Sequence, residues 1–308
     1  MTRRTQKSRK PLLLVIILIV VIFTTVSLLK KTKNSSETIE ETIADETSET
    51  ASMESTYELI DLQSTADNWL AGISGHASVY IYDLDNDQVV ANSDETEDYN
   101  TASLYKLFVI YEGYLRLESG EWQADDIMSG SYTVSECLDL AIRESYSPCA
   151  EAMWYTIGPD ELDEIIATEF GITNSDISNL TSNPADIAAM LKNYYQHEGL
   201  SDDAVAAIQD SMLNQPPTNK ENTCTNLCDW RQGLPSGFSD DVNVYNKVGW
   251  AHASGDYWLY YHDAAIVEIT DKNGVLRHYI VVVMTENMTD ASEIAQLGTE
   301  LEQVISNN

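Results

Sequence analysis

Strand-like segments stand at both ends of the folding part of this chain, and a long helical stretch separates them. Any sheet must therefore be assembled from residues far apart in sequence. Near the front, Ala77-Ser-Val-Tyr-Ile-Tyr-Asp83 and Gln88-Val-Val-Ala91 flank an Asp85-Asn-Asp87 turn, the pattern of a β-hairpin. At the back, Val242 to Gly249, Tyr257 to Thr270 and Leu276 to Thr285 read as three strands, the last two joined by Asp271-Lys-Asn-Gly274. Between them, Thr133 to about Leu213 has a helical period, broken at Ser145-Tyr-Ser-Pro148, Gly158-Pro159 and Thr181-Ser-Asn-Pro184. Further helices are expected at Tyr57 to Ala71, Ala102 to Leu117 and Asp290 to Ile305. The expected architecture is α/β of the α+β kind: an antiparallel sheet formed by the N- and C-terminal segments, flanked by helices, with an inserted all-helical subdomain at about 120–215.

Three short motifs carry the reactive groups, in the order Ser103-Leu-Tyr-Lys106, Ser145-Tyr-Ser147 and Lys247-Val-Gly249. A serine hydroxyl is a weak nucleophile until a neighbour takes its proton, and a lysine one helical turn away can do so if burial suppresses its charge. The apolar positions Leu104, Leu107, Phe108, Tyr111, Tyr114 and Leu115 place Ser103 and Lys106 at the first, partly buried turn of their helix. Alone, S-x-x-K arises about once by chance in a chain of this length, and the plain alternative makes Lys106 and Lys247 ordinary solvated lysines. Scarcity weighs against that alternative. Of 17 Lys and Arg, eight lie at or before Lys33, and the nine beyond it face all 50 Asp and Glu, a formal charge of −41. Only five of those nine are lysines, and Lys106 and Lys247 are two of them. So acidic a chain has no basic stripe to neutralise phosphates, which argues against nucleic acid as a partner.

Residues 11–29 are uncharged and, at 1.5 Å per residue, span a bilayer core of about 30 Å. They read as a single transmembrane anchor. Five basic residues precede this run and three follow it, which keeps residues 1–10 cytoplasmic and sends the remainder outside the cell membrane. No small-x-small cleavage pattern closes the run and no lipidation cysteine follows it, so an uncleaved anchor is expected. Residues 30–56, rich in Ser, Thr and Glu, read as a disordered acidic linker, and residues 57–308 as the functional domain.

The ordered motifs resemble those of the class A β-lactamase and penicillin-binding DD-peptidase superfamily, over nearly all of residues 57–308. That family carries S-x-x-K, then S-D-N on a loop of the helical domain, then K-T-G on a strand beside the nucleophile. Thr133-Val-Ser-Glu136, leading through Ala141-Ile-Arg-Glu144 to Ser145, resembles the helix that delivers the second element. Trp230-Arg-Gln-Gly-Leu-Pro235, followed by Tyr245-Asn-Lys247, resembles the approach to the third. The resemblance implies a β-lactamase/transpeptidase-like fold and a bacterial serine hydrolase or acyltransferase acting on β-lactams or D-alanyl cell-wall peptides. It implies that Ser103 is the nucleophile and Lys106 its proton acceptor. Ser145 would carry the proton to the leaving nitrogen, and Lys247 would keep the local field positive. The backbone N–H groups of Ser103 and Trp250 would form the oxyanion hole, Gly249 would let its strand approach the substrate, and Ser147 would contact it.

Several positions depart from the family pattern. Ser147 replaces an amide side chain and has a shorter reach. Val248 cannot hydrogen-bond a substrate carboxylate, and His262 on the next strand is a candidate replacement for the arginine that family members often carry nearby, or else a structural histidine. The stretch from Phe170 to Pro184 leaves no room for the Ω loop and has no glutamate to activate a deacylating water; Asp176 suits a capping role. A β-lactam is thus expected to acylate Ser103 and stay attached. The alternative is a catalytically weak binding or sensory ectodomain on the same fold, and a purely structural surface protein is a third reading.

Four cysteines, Cys137, Cys149, Cys224 and Cys228, permit three disulfide pairings in an exported domain, and Cys224 with Cys228 forms either a local disulfide or two loop thiols. No histidine stands at ligand spacing from that pair, and no metal or cofactor is expected. Trp250, Tyr257, Trp258, Tyr260 and Tyr261 either line a substrate groove or pack the core.

Overall fold

A computed structural model describes residues 58–215, 230–252 and 258–308. The expected membrane anchor at 11–29, the acidic linker, and Cys224 and Cys228 lie outside the described residues. Among the described residues no helix is long and apolar enough to cross a membrane.

The described chain begins with α1 (Gln63–Leu70), the hairpin of β1 (His76–Asp83) and β2 (Gln88–Ser93), a short β3 (Tyr99–Asn100), a 3-10 turn at Ala102–Leu104 and α2 (Tyr105–Glu118). Next come β4 (Ile127–Ser129), β5 (Tyr132–Thr133), α3 (Val134–Arg143), α4 (Ser147–Ile157) and α5 (Pro159–Glu169). A second 3-10 turn, Ile177–Asn179, leads through β6 (Thr181–Ser182) to α6 (Pro184–Gln196) and α7 (Asp202–Leu213). After a third such turn at Leu234–Gly237 follow β7 (Asn243–His252), β8 (Trp258–Thr270), β9 (Leu276–Glu286) and α8 (Ser292–Ser306).

The main sheet has the order β2-β1-β9-β8-β7 with every pair antiparallel, so it joins strands from both ends of the chain. Val79 sits opposite Val283, Ala265 opposite Val281, and Gly249 opposite His262. Its central strands are buried on both faces, which explains the unbroken apolar run Tyr279-Ile-Val-Val-Val-Met284. Ile280, Val282, Met284, Ala264 and Ile266 pack toward the helical side with α2. Tyr279, Val281, Val283, Ala265 and Val267 face the opposite layer, where Trp69 of α1 and Leu297 and Leu301 of α8 cover them.

Two boundaries differ from the sequence expectation for local reasons. Helix α1 starts at Gln63 because Ile60 and Leu62 are buried and the Leu62 N–H is bonded to the Val90 carbonyl at 3.1 Å, which holds the lead-in against the hairpin. The helix expected from Ala102 is α-helical only from Tyr105, because Ala102 has φ of +44° and so breaks right-handed helical geometry just before Ser103. The paired strands β3–β6 and β4–β5 were not foreseen, being too short to show any periodicity.

Helix α2 is the centre of the helical side. Residues Tyr105 to Gly113 are buried without a break, so Lys106, with 0% exposure, is carried into the interior by the helix itself. Helix α3 opens on a capping box, in which Thr133 Oγ1 accepts from the Glu136 N–H at 3.2 Å and Glu136 Oε2 from the Thr133 N–H at 2.9 Å. It ends at Arg143, and Ser145, with φ of +49°, reverses the chain into α4. Of the three pairings open in the sequence, the structure forms Cys137–Cys149, which clamps α3 to α4 across the loop that holds Ser145 and Ser147.

Replacing both of these cysteines by serine is expected to lower unfolding stability by about 3 kcal/mol, the loop-closure contribution for a ring of this size. Urea titration of oxidised wild type and variant measures it, and equal midpoints would show that the clamp contributes nothing.

Candidate active site

The turn bearing Ser103 is held from three sides. The Thr101 N–H donates to the Leu180 carbonyl at 2.7 Å, and the Ala102 N–H donates to Asn100 Oδ1 at 3.0 Å. On the third side lies β7, the edge strand of the sheet, at Gly249. A Cβ built on Gly249 would come within 2.7 Å of the Thr101 carbonyl oxygen and 3.1 Å of the Leu104 nitrogen. Glycine is required here by this close approach of two backbones.

Behind the turn, Ser145 joins the two lysines. Lys247 Nζ donates to Ser145 Oγ at 2.8 Å and to the Val248 carbonyl at 2.6 Å. Lys106 Nζ reaches the same Oγ at 3.2 Å, the Ser145 carbonyl, and Ser147 Oγ at 3.1 Å. Both lysines are fully buried. Desolvation, and then the neighbouring charge of Lys106, hold Lys247 well below the usual lysine range, while the nearby Asp263 opposes that shift. Asp263 is itself buried. It accepts from Asn246 Nδ2 at 2.9 Å and the Leu234 N–H at 2.8 Å, and loss of water pushes its carboxyl up to about 7. Two ammonium groups this close in a dry interior repel, so the site favours sharing protons through Ser145 over holding two full charges.

In front of the turn is a cleft of about 390 Å³. Ser103, Ser147 and Trp250 line it. Lys106, Ser145 and Lys247 form the buried net beside it. Tyr105, Glu151, Trp154, Tyr155 and Leu180 also line the cleft, and sequence reasoning missed them. Glu151 and Tyr155 follow Ser147 by one and two helical turns on α4, the signal that was available. Trp250 stacks on buried Trp230 with ring centres 4.4 Å apart, whereas Tyr261 belongs to the core. Tyr257 and the Trp258 side chain lie outside the described residues. Asp176 caps the 3-10 turn at Ile177–Asn179, with Oδ1 accepting the Asn179 N–H at 3.0 Å, and is exposed. Among the described residues no cluster could hold a metal ion.

His262 corrects an expectation. It has 0% exposure, its Nε2 is bonded to the Asn100 carbonyl at 2.7 Å, and its Nδ1 accepts the Thr285 N–H at 3.0 Å. Neither nitrogen remains for a substrate carboxylate. The ring is instead a strut between the sheet and the segment leading to Ser103, with Tyr99 edge-on at 5.9 Å.

Burial pushes the His262 imidazole down to about 4, from 6.5 in the unfolded chain. Between those values the unfolded state binds more protons, so the stability due to this group is complete above pH 6.5 and is lost as pH falls toward 4, by about 3 kcal/mol. Denaturant titrations between pH 7 and 4 are expected to show this loss and His262→Gln to flatten it; an unchanged slope would refute the assignment. Gly249→Ala is expected to cost about 1–3 kcal/mol, because the turn must retreat. Thermal melts report it, and wild-type behaviour would mean that the two backbones are not in contact.

Comparison with known proteins is consistent with this geometry. A crystal structure of the TLA-1 extended-spectrum beta-lactamase superposes with a TM-score of 0.64 at 15% identity, covering 80% of this chain and 98% of that one. A class A beta-lactamase from Bacteroides cellulosilyticus gives 0.63 at 16%, covering 82% and 100%. PBP-A gives 0.62 at 18%, covering 80% and 96%. No curated protein matches the sequence. The model of the beta-lactamase enzyme family matches residues 61–306, nearly the whole of the described fold. The chain is a member of that family.

Proposed function

We propose that this protein is a membrane-anchored, extracytoplasmic serine acyl-transfer enzyme whose Ser103 forms an acyl-enzyme with β-lactams or D-alanyl cell-wall peptides. The observation that carries the reading is Ser145 Oγ, held by both Lys106 and Lys247 beside the turn that presents Ser103 to the cleft. In the step we envisage, Ser103 Oγ bonds to the carbonyl carbon as its proton passes by way of Lys106 into the buried lysine pair. The C–N bond then breaks and the leaving nitrogen takes a proton from Ser145, which is refilled from the lysine pair. Backbone N–H groups of Ser103 and Trp250 would receive the developing oxyanion.

Slow release of a penicilloyl group is part of the proposal. Its support is that the 170–184 segment presents Leu180 to the cleft and spends Asp176 on a cap, leaving no positioned carboxylate on that wall. A PBP-A variant has been captured as an acyl-enzyme with penicillin G, at 17% identity to this chain. A binding domain without turnover is the second reading, favoured by Val248 and Ser147 standing where family members carry stronger substrate contacts.

Intact mass spectrometry of the full-length chain in detergent, with and without benzylpenicillin, tests the proposal. A persistent single adduct lost in Ser103→Ala is expected. Consumption of the drug without an adduct would mean rapid hydrolysis, and neither adduct nor consumption would favour the binding reading.

A further inference from the structure

The charges around the cleft do not suit the usual expectation that such a site grips an anion. Lys106 and Lys247 are fully buried and committed to Ser145, the Val248 side chain offers no hydrogen bond, and His262 has both nitrogens engaged. Among the described residues that line the cleft, Glu151 is the only charged one. It is exposed, and among the described residues its carboxylate makes no hydrogen bond or ion pair. It lies one turn beyond Ser147 on α4, so it meets a ligand about 6 Å further along the helix than Ser147 does. Tyr155 is beside it, an aromatic side chain left 67% exposed and stacked on Trp154 with ring centres 5.3 Å apart. A bare carboxylate next to the exposed Tyr155 ring, which buried Trp154 backs, is a receptor for an ammonium group. The chain beyond Lys33, at −41, adds a field that draws cations toward it.

We infer that Glu151, with Tyr155 and Trp154, selects acyl donors that carry an ammonium group a few bonds from the reacting carbonyl. This rests on the acyl-transfer reading above and names its substrate class. A water-activating role suits Glu151 less well, because a general base must be held in place and this carboxylate has nothing to hold it.

The test uses three penicillins that share a phenylacetyl side chain and differ only at its α-carbon: hydrogen, ammonium or carboxylate. Acylation rates of the full-length protein are read by quench and intact mass. The ammonium compound is expected to react about three- to tenfold faster than the neutral one, and the carboxylate compound more slowly still. Glu151→Gln is expected to bring the three rates together. Equal rates in wild type, with Ser103 still acylated, would overturn the inference alone. Failure of all three to acylate Ser103 would overturn the underlying reading and the inference with it. A preference untouched by Glu151→Gln, or a variant that loses only the release step, would assign the carboxylate to another role and refute recognition.

Discussion

Everything at the site depends on two lysine side chains being kept out of water. An ammonium group removed from solvent costs several kcal/mol unless its surroundings compensate, and two of them on one hydroxyl cost more. The fold accepts this because Lys106 sits on the innermost turns of α2 and Lys247 on an edge strand pressed against that helix's first turn. Their compensation is Ser145, two backbone carbonyls and the nearby Asp263. The same crowding makes a proton easy to pass among them. Strain accompanies it: Ala102, Ser145 and Leu180, at three corners of the site, all hold left-handed backbone that non-glycine residues seldom adopt.

That arrangement explains how the rest of the molecule is distributed. The sheet joins both ends of the chain and carries Lys247, and the helical side supplies Lys106 and Ser145. Short ladders such as Tyr99 opposite Ser182 stitch the segment leading to Ser103 to the helical wall. His262 takes the sheet's side of that stitching, tying Asn100 down to β8 and β9. The clamp between α3 and α4 fixes the loop from which Ser145 and Ser147 project.

Much of this was legible in the residues. Strands buried on both faces announce themselves as apolar runs, and helices with turn residues between them announce their breaks, so the sheet and the order of helices follow from pattern. Ser103, Lys106, Ser145 and Lys247 stood out through the order and spacing of their motifs, and the structure brings Lys106, Ser145 and Lys247 together. What stayed hidden was lateral: which face of a strand is roofed over, and by what. His262 shares the parity of Ala264 and Ile266 and so faces the helical side, but nothing in the sequence says that Tyr99 and Asn100 lie across it. Glu151 and Tyr155 became cleft residues only once α4 was placed beside Ser103. Two-residue ladders and a positive φ at alanine leave no periodic trace at all.

The sheet that opens the account also sets an order of events. Strand β1 has its partners in β2, close by, and in β9, about two hundred residues further on, where His76 meets Glu286. Lys247 reaches Ser145 from β7, which is fixed to the sheet only through β8. A chain still being made therefore already holds Ser103, Lys106 and its helical wall, yet lacks Lys247 and the edge strand that carries it. The buried net around Ser145 is complete only with the last strands, so a partly made or partly folded chain would hold Ser103 without the second lysine.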